Sequence, residues 1–163
     1  MFCKMAKFKP YVLFVKLFIL FLVSSCEPIQ LYEQTTVYPS HKWSSKEVNQ
    51  YQFNITDTNS SYKIYFVIRH HNAYHYKNIW LQINTQSPSD TVVKQTLNLQ
   101  LADDQKGWLG VGMDDIYDQR IPVNATPTKL KLGVYHFSIQ HTMREDPLLG
   151  ILATGLRVEK VQL

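Results

Sequence analysis

The stretch that decides the fold is Tyr51-Gln-Phe-Asn-Ile-Thr-Asp-Thr-Asn-Ser-Ser-Tyr-Lys-Ile-Tyr-Phe-Val-Ile-Arg69. Its first part alternates: Tyr51, Phe53 and Ile55 point one way and Gln52, Asn54 and Thr56 the other. That period of two belongs to a strand with one buried and one wet face. Its last part sets Tyr62, Ile64, Phe66 and Ile68 on one face, with Lys63, Tyr65, Val67 and Arg69 on the other. Tyr65 and Val67 make the second face partly apolar, which predicts a central strand with neighbours on both sides. Between the two runs, the short polar side chains of Asp57 to Ser61 hydrogen-bond locally and tolerate tight backbone, so the pattern predicts a hairpin.

Outward from this pair, further strands are expected at 78–86, with Ile79, Leu81 and Ile83 inward, and at 91–101, with Leu97, Leu99 and Leu101 inward. Ser87-Pro-Ser-Asp90 turns the chain between them. Strands at 133–141 and 155–159 follow, and weaker ones at 29–33 and 120–124. Single helical turns are expected at Asp114 to Asp118 and near Glu145 to Leu152. Many short strands separated by turn signals, with no long amphipathic stretch, predict an all-β chain: a single β-sandwich of jelly-roll type over residues 31–163. No Gly-, Pro- or Ser-rich linker divides it.

The first 25 residues read differently. Lys4, Lys7, Lys9 and Lys16 occur there with no acid, and Tyr11 to Val23 is apolar apart from Lys16. Thirteen residues of helix rise about 20 Å against roughly 30 Å of hydrocarbon, the proportion of an export signal and not of a membrane span. Val23-Ser-Ser-Cys26 then resembles the bacterial lipobox, whose cysteine is acylated and becomes the first mature residue. Cys3, the other cysteine, lies inside the signal, so Cys26 has no partner for an internal disulfide and lipid attachment explains it. Residues 26–30 form the acylated tether, and two or three long acyl chains at about 0.8 kcal/mol per buried methylene hold a protein on a membrane lastingly. Removing the signal leaves thirteen basic against thirteen acidic side chains, so no positive stripe remains to bind nucleic acid.

Several clusters carry side chains capable of chemistry. His70, His71 and His75 could ligate zinc or copper, but adjacent residues of an extended chain point to opposite faces and no nearby acid orients a ring, so a polar loop is expected. Asp103, Asp104, Asp114, Asp115 and Asp118 are weak calcium candidates that lack the spacing of an EF-hand loop. Lys106 to Gly112 has three glycines without a phosphate-cradle frame, which makes it a shaped loop with Trp108 plugging the end of the sandwich or stacking on a ligand. No nucleophile frame appears, so neither an enzyme activity nor a cofactor is expected.

At this point the chain resembles the gliding-motility lipoprotein GldH family of the Bacteroidetes. The resemblance rests on Asp57-Thr58 before Tyr62 to Arg69; Tyr74, Tyr76 and Asn78-Ile-Trp80; and Leu101-Ala-Asp103. It continues through Gly107-Trp-Leu-Gly110 with Gly112, Gly133-Val-Tyr135, Met143-Arg-Glu145 and Gly155-Leu-Arg157, in that order behind the lipobox. His75 departs from the pattern, standing where a proline is expected. The resemblance implies an exported, outer-membrane-associated lipoprotein of the gliding machinery, linked to type IX secretion, with other gliding or secretion lipoproteins as partners. It implies no catalytic residue, and only Cys26 carries over, as the acylated cysteine. A non-enzymatic interaction domain is therefore expected, with Tyr74, His75, Tyr76, Trp80 and Trp108 as partner-surface candidates because aromatic anchors dominate interfaces. The alternative is a carbohydrate-binding β-sandwich module offering Tyr or Trp rings to sugar faces.

Overall fold

The computed structural model describes residues 30–161, and all of their regular structure is strand. The signal segment, Cys26 and nearly all of its tether lie outside the described residues. Eight long strands carry the fold: β1 Gln30–Val37, β2 Asn49–Ile55, β3 Ser61–His71, β4 Asn78–Gln86, β5 Val93–Gln100, β6 Ile116–Pro122, β7 Gly133–His141 and β8 Ile151–Val161. One sheet has the order β1-β8-β3-β6, extended by Val111–Met113 beside β6 and by Thr128–Lys129 on β3; the other has the order β2-β7-β4-β5. Every pairing is antiparallel.

The pairs first-with-eighth, second-with-seventh, third-with-sixth and fourth-with-fifth are those of one long hairpin rolled up on itself. This is the strand order of a jelly roll. It explains why β3 is apolar on both faces: β8 and β6 flank it, and Val67 on its outer side is buried along with Tyr62, Ile64, Phe66 and Ile68 on its inner side. The same order overturns the expected hairpin at 57–61. Asp57 does organise a turn, its Oδ1 accepting from the Asn59 amide at 2.9 Å and its Oδ2 from the Ser60 hydroxyl at 2.7 Å. That turn carries the chain from one sheet to the other, so β2 and β3 face each other through the core and do not pair. Turn chemistry bends a chain; it does not choose the partner of the strand that follows.

The core lies between the sheets. Tyr51, Phe53, Tyr135, Phe137, Ile139, Ile79 and Leu81 from one sheet meet Ile64, Phe66, Ile68, Leu156 and Val158 from the other. Phe53 stacks on Tyr135 at 5.3 Å and reaches Tyr32 of the opposite sheet at 5.6 Å. A polar knot joins the layers near one end. The Tyr38 hydroxyl and the Thr154 Oγ1 are 2.8 Å apart, and Asn49 Nδ2 donates to both, at 2.6 and 2.9 Å. Gly155 in β8 marks a close approach: a Cβ there would lie 2.5 Å from the Gln34 carbonyl and 2.6 Å from Thr35 Cγ2 of β1.

Two further expectations are corrected here. Asp114 and Asp115 are not helical but form the turn between Val111–Met113 and β6, with Asp114 at φ 54° and Asp118 already inside β6. Residues 145–152 are not helical either. Leu148–Leu149 pairs with Lys42–Trp43, burying Leu148 against Trp43, and β8 begins at Ile151.

Candidate functional site

At the end of β3 the histidines separate. His70 is fully buried, edge-on to Trp108 at 4.5 Å and near Tyr117 at 5.8 Å and Tyr74 at 5.7 Å. Its Nδ1 meets the His71 carbonyl at 2.9 Å, and burial lowers its pKa. His71 contacts the His41 ring at 5.1 Å, and His75 stands at the surface 3.3 Å from Glu145 Oε2. Among the described residues no group of His, Cys, Asp and Glu is placed to hold a metal ion. The aspartates are likewise kept apart by local roles. Asp103 accepts from the Gln105 and Lys106 amides, Asp104 pairs with Lys77, Asp115 accepts from Asn72 through its carbonyl at 2.7 Å, and Asp118 takes Arg69 in a two-point pair at 2.8 and 2.9 Å.

The partner-surface candidates divide. Tyr74 is 4% exposed and belongs to the core, its hydroxyl donating to the Asn78 carbonyl at 3.2 Å. Trp108 is half-buried and packs on that core beside His70 and Tyr74, closing the end of the sandwich. Gly110, just beyond it, sits at φ 109° where any Cβ would collide with the Asp118 carbonyl, which accounts for a glycine in this loop. His75, Tyr76 and Trp80 remain outward, with Trp80 43% exposed. They are joined by Met143 and Arg144.

β4 presents Trp80, and the segment after β7 lies alongside it. The Thr142 amide donates to the Trp80 carbonyl at 2.9 Å, and the Trp80 amide reaches Met143 Sδ at 3.2 Å. Tyr76, Trp80, Met143 and Arg144 thereby line a shallow cavity of about 650 Å³ with Asn78 and Thr142. Glu145 lies beside Tyr76, whose phenol holds the carboxyl below the usual range and is itself raised in return. Arg144 is exposed and makes no ion pair among the described residues, since Glu145 is engaged by Tyr76 and His75. An exposed Trp, a Tyr, a Met and an unpaired Arg are the residue types that enrich protein interfaces. Nothing in the sequence pattern brings Met143 and Arg144 to Trp80. The contact comes from the register in which His141 of β7 faces Leu81 of β4.

The two outer faces differ in charge. On β1-β8-β3-β6, Arg157 bridges Glu33 and Glu159, Arg120 reaches Glu33 at 3.3 Å, and Arg69 holds Asp118, around a groove of about 370 Å³. The outer face of the other sheet is built mainly of uncharged amides.

Over 155 residues the chain is 28% identical to a gliding motility lipoprotein GldH homolog of Christiangramia forsetii, covering 90% of this chain and 94% of that one. It is 25% identical over 146 residues to the gliding motility lipoprotein GldH of Flavobacterium johnsoniae, covering 85% and 90%. Among solved structures, the dimeric latent PorU of Porphyromonas gingivalis aligns with 86% of this chain and 14% of its own, at 7% identity. Its TM-score of 0.32 is too low to carry an argument. The family model of the GldH lipoproteins matches residues 30–158, from the first strand into the last, and the chain belongs to that family.

Proposed function

We propose that this lipoprotein acts in gliding motility as a non-enzymatic binding module, held by acylated Cys26 at the outer membrane and joined through protein partners to the type IX secretion apparatus. The observation that carries this reading is the outward shelf of Tyr76, Trp80, Met143 and Arg144, which offers aromatic, thioether and guanidinium groups to a partner. The unpaired Arg144 calls for an acidic or carbonyl-rich contact at the shelf's rim. The lipobox pattern and the family's lipoprotein character support the anchor. A photo-reactive residue placed at Met143 in native cells is expected to capture a second envelope protein, and one placed at Arg120 on the opposite face is not. Capture of the same protein from both positions, or from neither, would defeat the assignment of the shelf.

A further inference from the structure

The outward face of β2-β7-β4-β5 carries sixteen side chains from its four strands, and ten of them are Asn or Gln. Lys94 is the single fully charged group among them, and Trp80 the single aromatic ring. The ion-paired outer face of the other sheet shows that this chain does not avoid charge on a wet sheet surface. The amides also stand in rows. Strand register sets Gln52 beside His136 and Gln86, Gln140 beside Gln82 and Thr96, and Trp80 beside Asn98. Neighbouring groups are thus about 4.8 Å apart across strands and about 7 Å apart along them.

Part of this lattice is fixed in place. Asn78 Nδ2 donates to Asn98 Oδ1 at 2.6 Å, and Asn84 Nδ2 to Ser138 Oγ at 2.9 Å, which orders these side chains before any ligand arrives. Depressions lie at both ends of the outward row of β4. One of about 270 Å³ is lined by Gln50, Asn84, Gln86 and His136. At the other end, one of about 340 Å³ with Asn98 and Gln100, rimmed by Lys77, Asp103 and Asp104, and one of about 650 Å³ at Trp80 share Asn78 as a wall.

We propose that this face binds a neutral, hydroxyl-rich glycan chain laid along β4, with one sugar ring stacked on Trp80. An amide carries a donor and an acceptor on one side chain, matching a hydroxyl that also does both, and neither partner has a charge to strip of water. The exposed indole supplies the flat apolar surface that the carbon-bound face of a pyranose requires. A polyanion would find Lys94 on the strands and, at their end, Lys77 already paired with Asp104, and an acidic protein segment is better served by Arg144 on the neighbouring shelf. The proposal rests on the amide face and shares Trp80 with the shelf described above; the two readings are told apart by Gln82 and Asn84, which lie outside that shelf.

The test is affinity electrophoresis of the full-length protein in a polyoxyethylene detergent, through gels holding laminarin, yeast mannan, xylan or, as the polyanion, alginate. At least one neutral polysaccharide is expected to retard the protein independently of salt. Trp80→Ala and, separately, Gln82→Ala/Asn84→Ala should each weaken that retardation about tenfold or more, with melting temperatures unchanged because these side chains lie on the outside. Arg120→Glu, on the opposite sheet, should be retarded as the wild type is in the same gels. Absence of retardation in all neutral gels, retardation that survives both face variants, or salt-sensitive retardation by alginate alone overturns the glycan proposal. Each of those results leaves the shelf reading to its own crosslinking experiment.

Discussion

Replacing Thr154 by valine removes one oxygen from the middle of the sandwich and almost no volume. Thr154 is fully buried, and its Oγ1 lies 2.8 Å from the Tyr38 hydroxyl and 2.9 Å from Asn49 Nδ2, two groups that are themselves 5% and 7% exposed. In the valine variant, Tyr38 and Asn49 keep each other at 2.6 Å but each loses its second partner inside the core. A buried polar group left unsatisfied costs about 1–3 kcal/mol. Two weakened groups that retain one mutual bond should cost roughly 2–4 kcal/mol together, which lowers the melting temperature of a domain this size by on the order of 10 °C. Thr154→Ser keeps the oxygen and loses a methyl group, for about 1 kcal/mol. Tyr38→Phe in the Thr154→Val background removes a stranded hydroxyl, so the two losses should fall short of additive by at least about 0.5 kcal/mol. Urea titration followed by tryptophan fluorescence measures the wild type, the single variants Thr154→Val, Thr154→Ser and Tyr38→Phe, and the double variant. A valine variant as stable as wild type, or losses that simply add, would refute the idea that this knot ties the two sheets together.

Phe66→Asp should leave the chain unfolded, because an unpaired charge at a fully buried position costs several kcal/mol against a total of about 5–15; a preserved cooperative melt would show that this face of β3 is not in the core. Burial lowers the pKa of both His70 and His141 below the ordinary 6.5, so the unfolded chain binds their protons first as the solution is acidified. Their contribution to stability is therefore present above about pH 6.5 and lost as the pH falls through that value toward their folded pKa. It is separable from the carboxylates Glu33 and Asp146, whose lowered values place their loss at more acid pH. A urea midpoint that does not fall between pH 7.5 and 5.5, with ranges chosen about the histidine value, contradicts it. Cys26→Ala should move the protein from the membrane pellet to the soluble fraction with its melt intact, since the anchor precedes β1; retention in the detergent-extracted pool would remove the lipid from the account.

Much of this fold is legible in the sequence because its strands bury one face each. Tyr51, Phe53 and Ile55 alternate without interruption, as do Ile79, Leu81 and Ile83, and Tyr135, Phe137 and Ile139, and all of them are buried. The misreadings occur where local chemistry and tertiary pairing part. Asp114 and Asp118 have helical spacing, yet the chain turns at Asp114 and β6 pairs with β3, which sets Ile121 against the core. Pairing across the roll joins residues far apart in sequence, so nothing local at Asp57 to Ser61 reveals that β3 will leave β2 for β8. The surface shows the same division. The outwardness of Trp80 follows from its phase against Ile79 and Leu81, whereas Tyr74 has no such phase and turns inward onto His70 and Trp108. Met143 and Arg144 join the shelf only through the register of β7 on β4. The amide lattice was written in Gln50, Gln52 and Asn54, and again in Gln82, Asn84 and Gln86, but wet positions carry a meaning only when the sheet sets them side by side.

We propose that this domain works by contact through the Tyr76, Trp80, Met143 and Arg144 shelf. Cells whose only copy carries Tyr76→Ala/Arg144→Glu, measured for spreading on agar alongside protein level and membrane fractionation, test it most directly. The account predicts that spreading is lost while the protein accumulates, folds and fractionates as wild type. Normal spreading by these cells would contradict it.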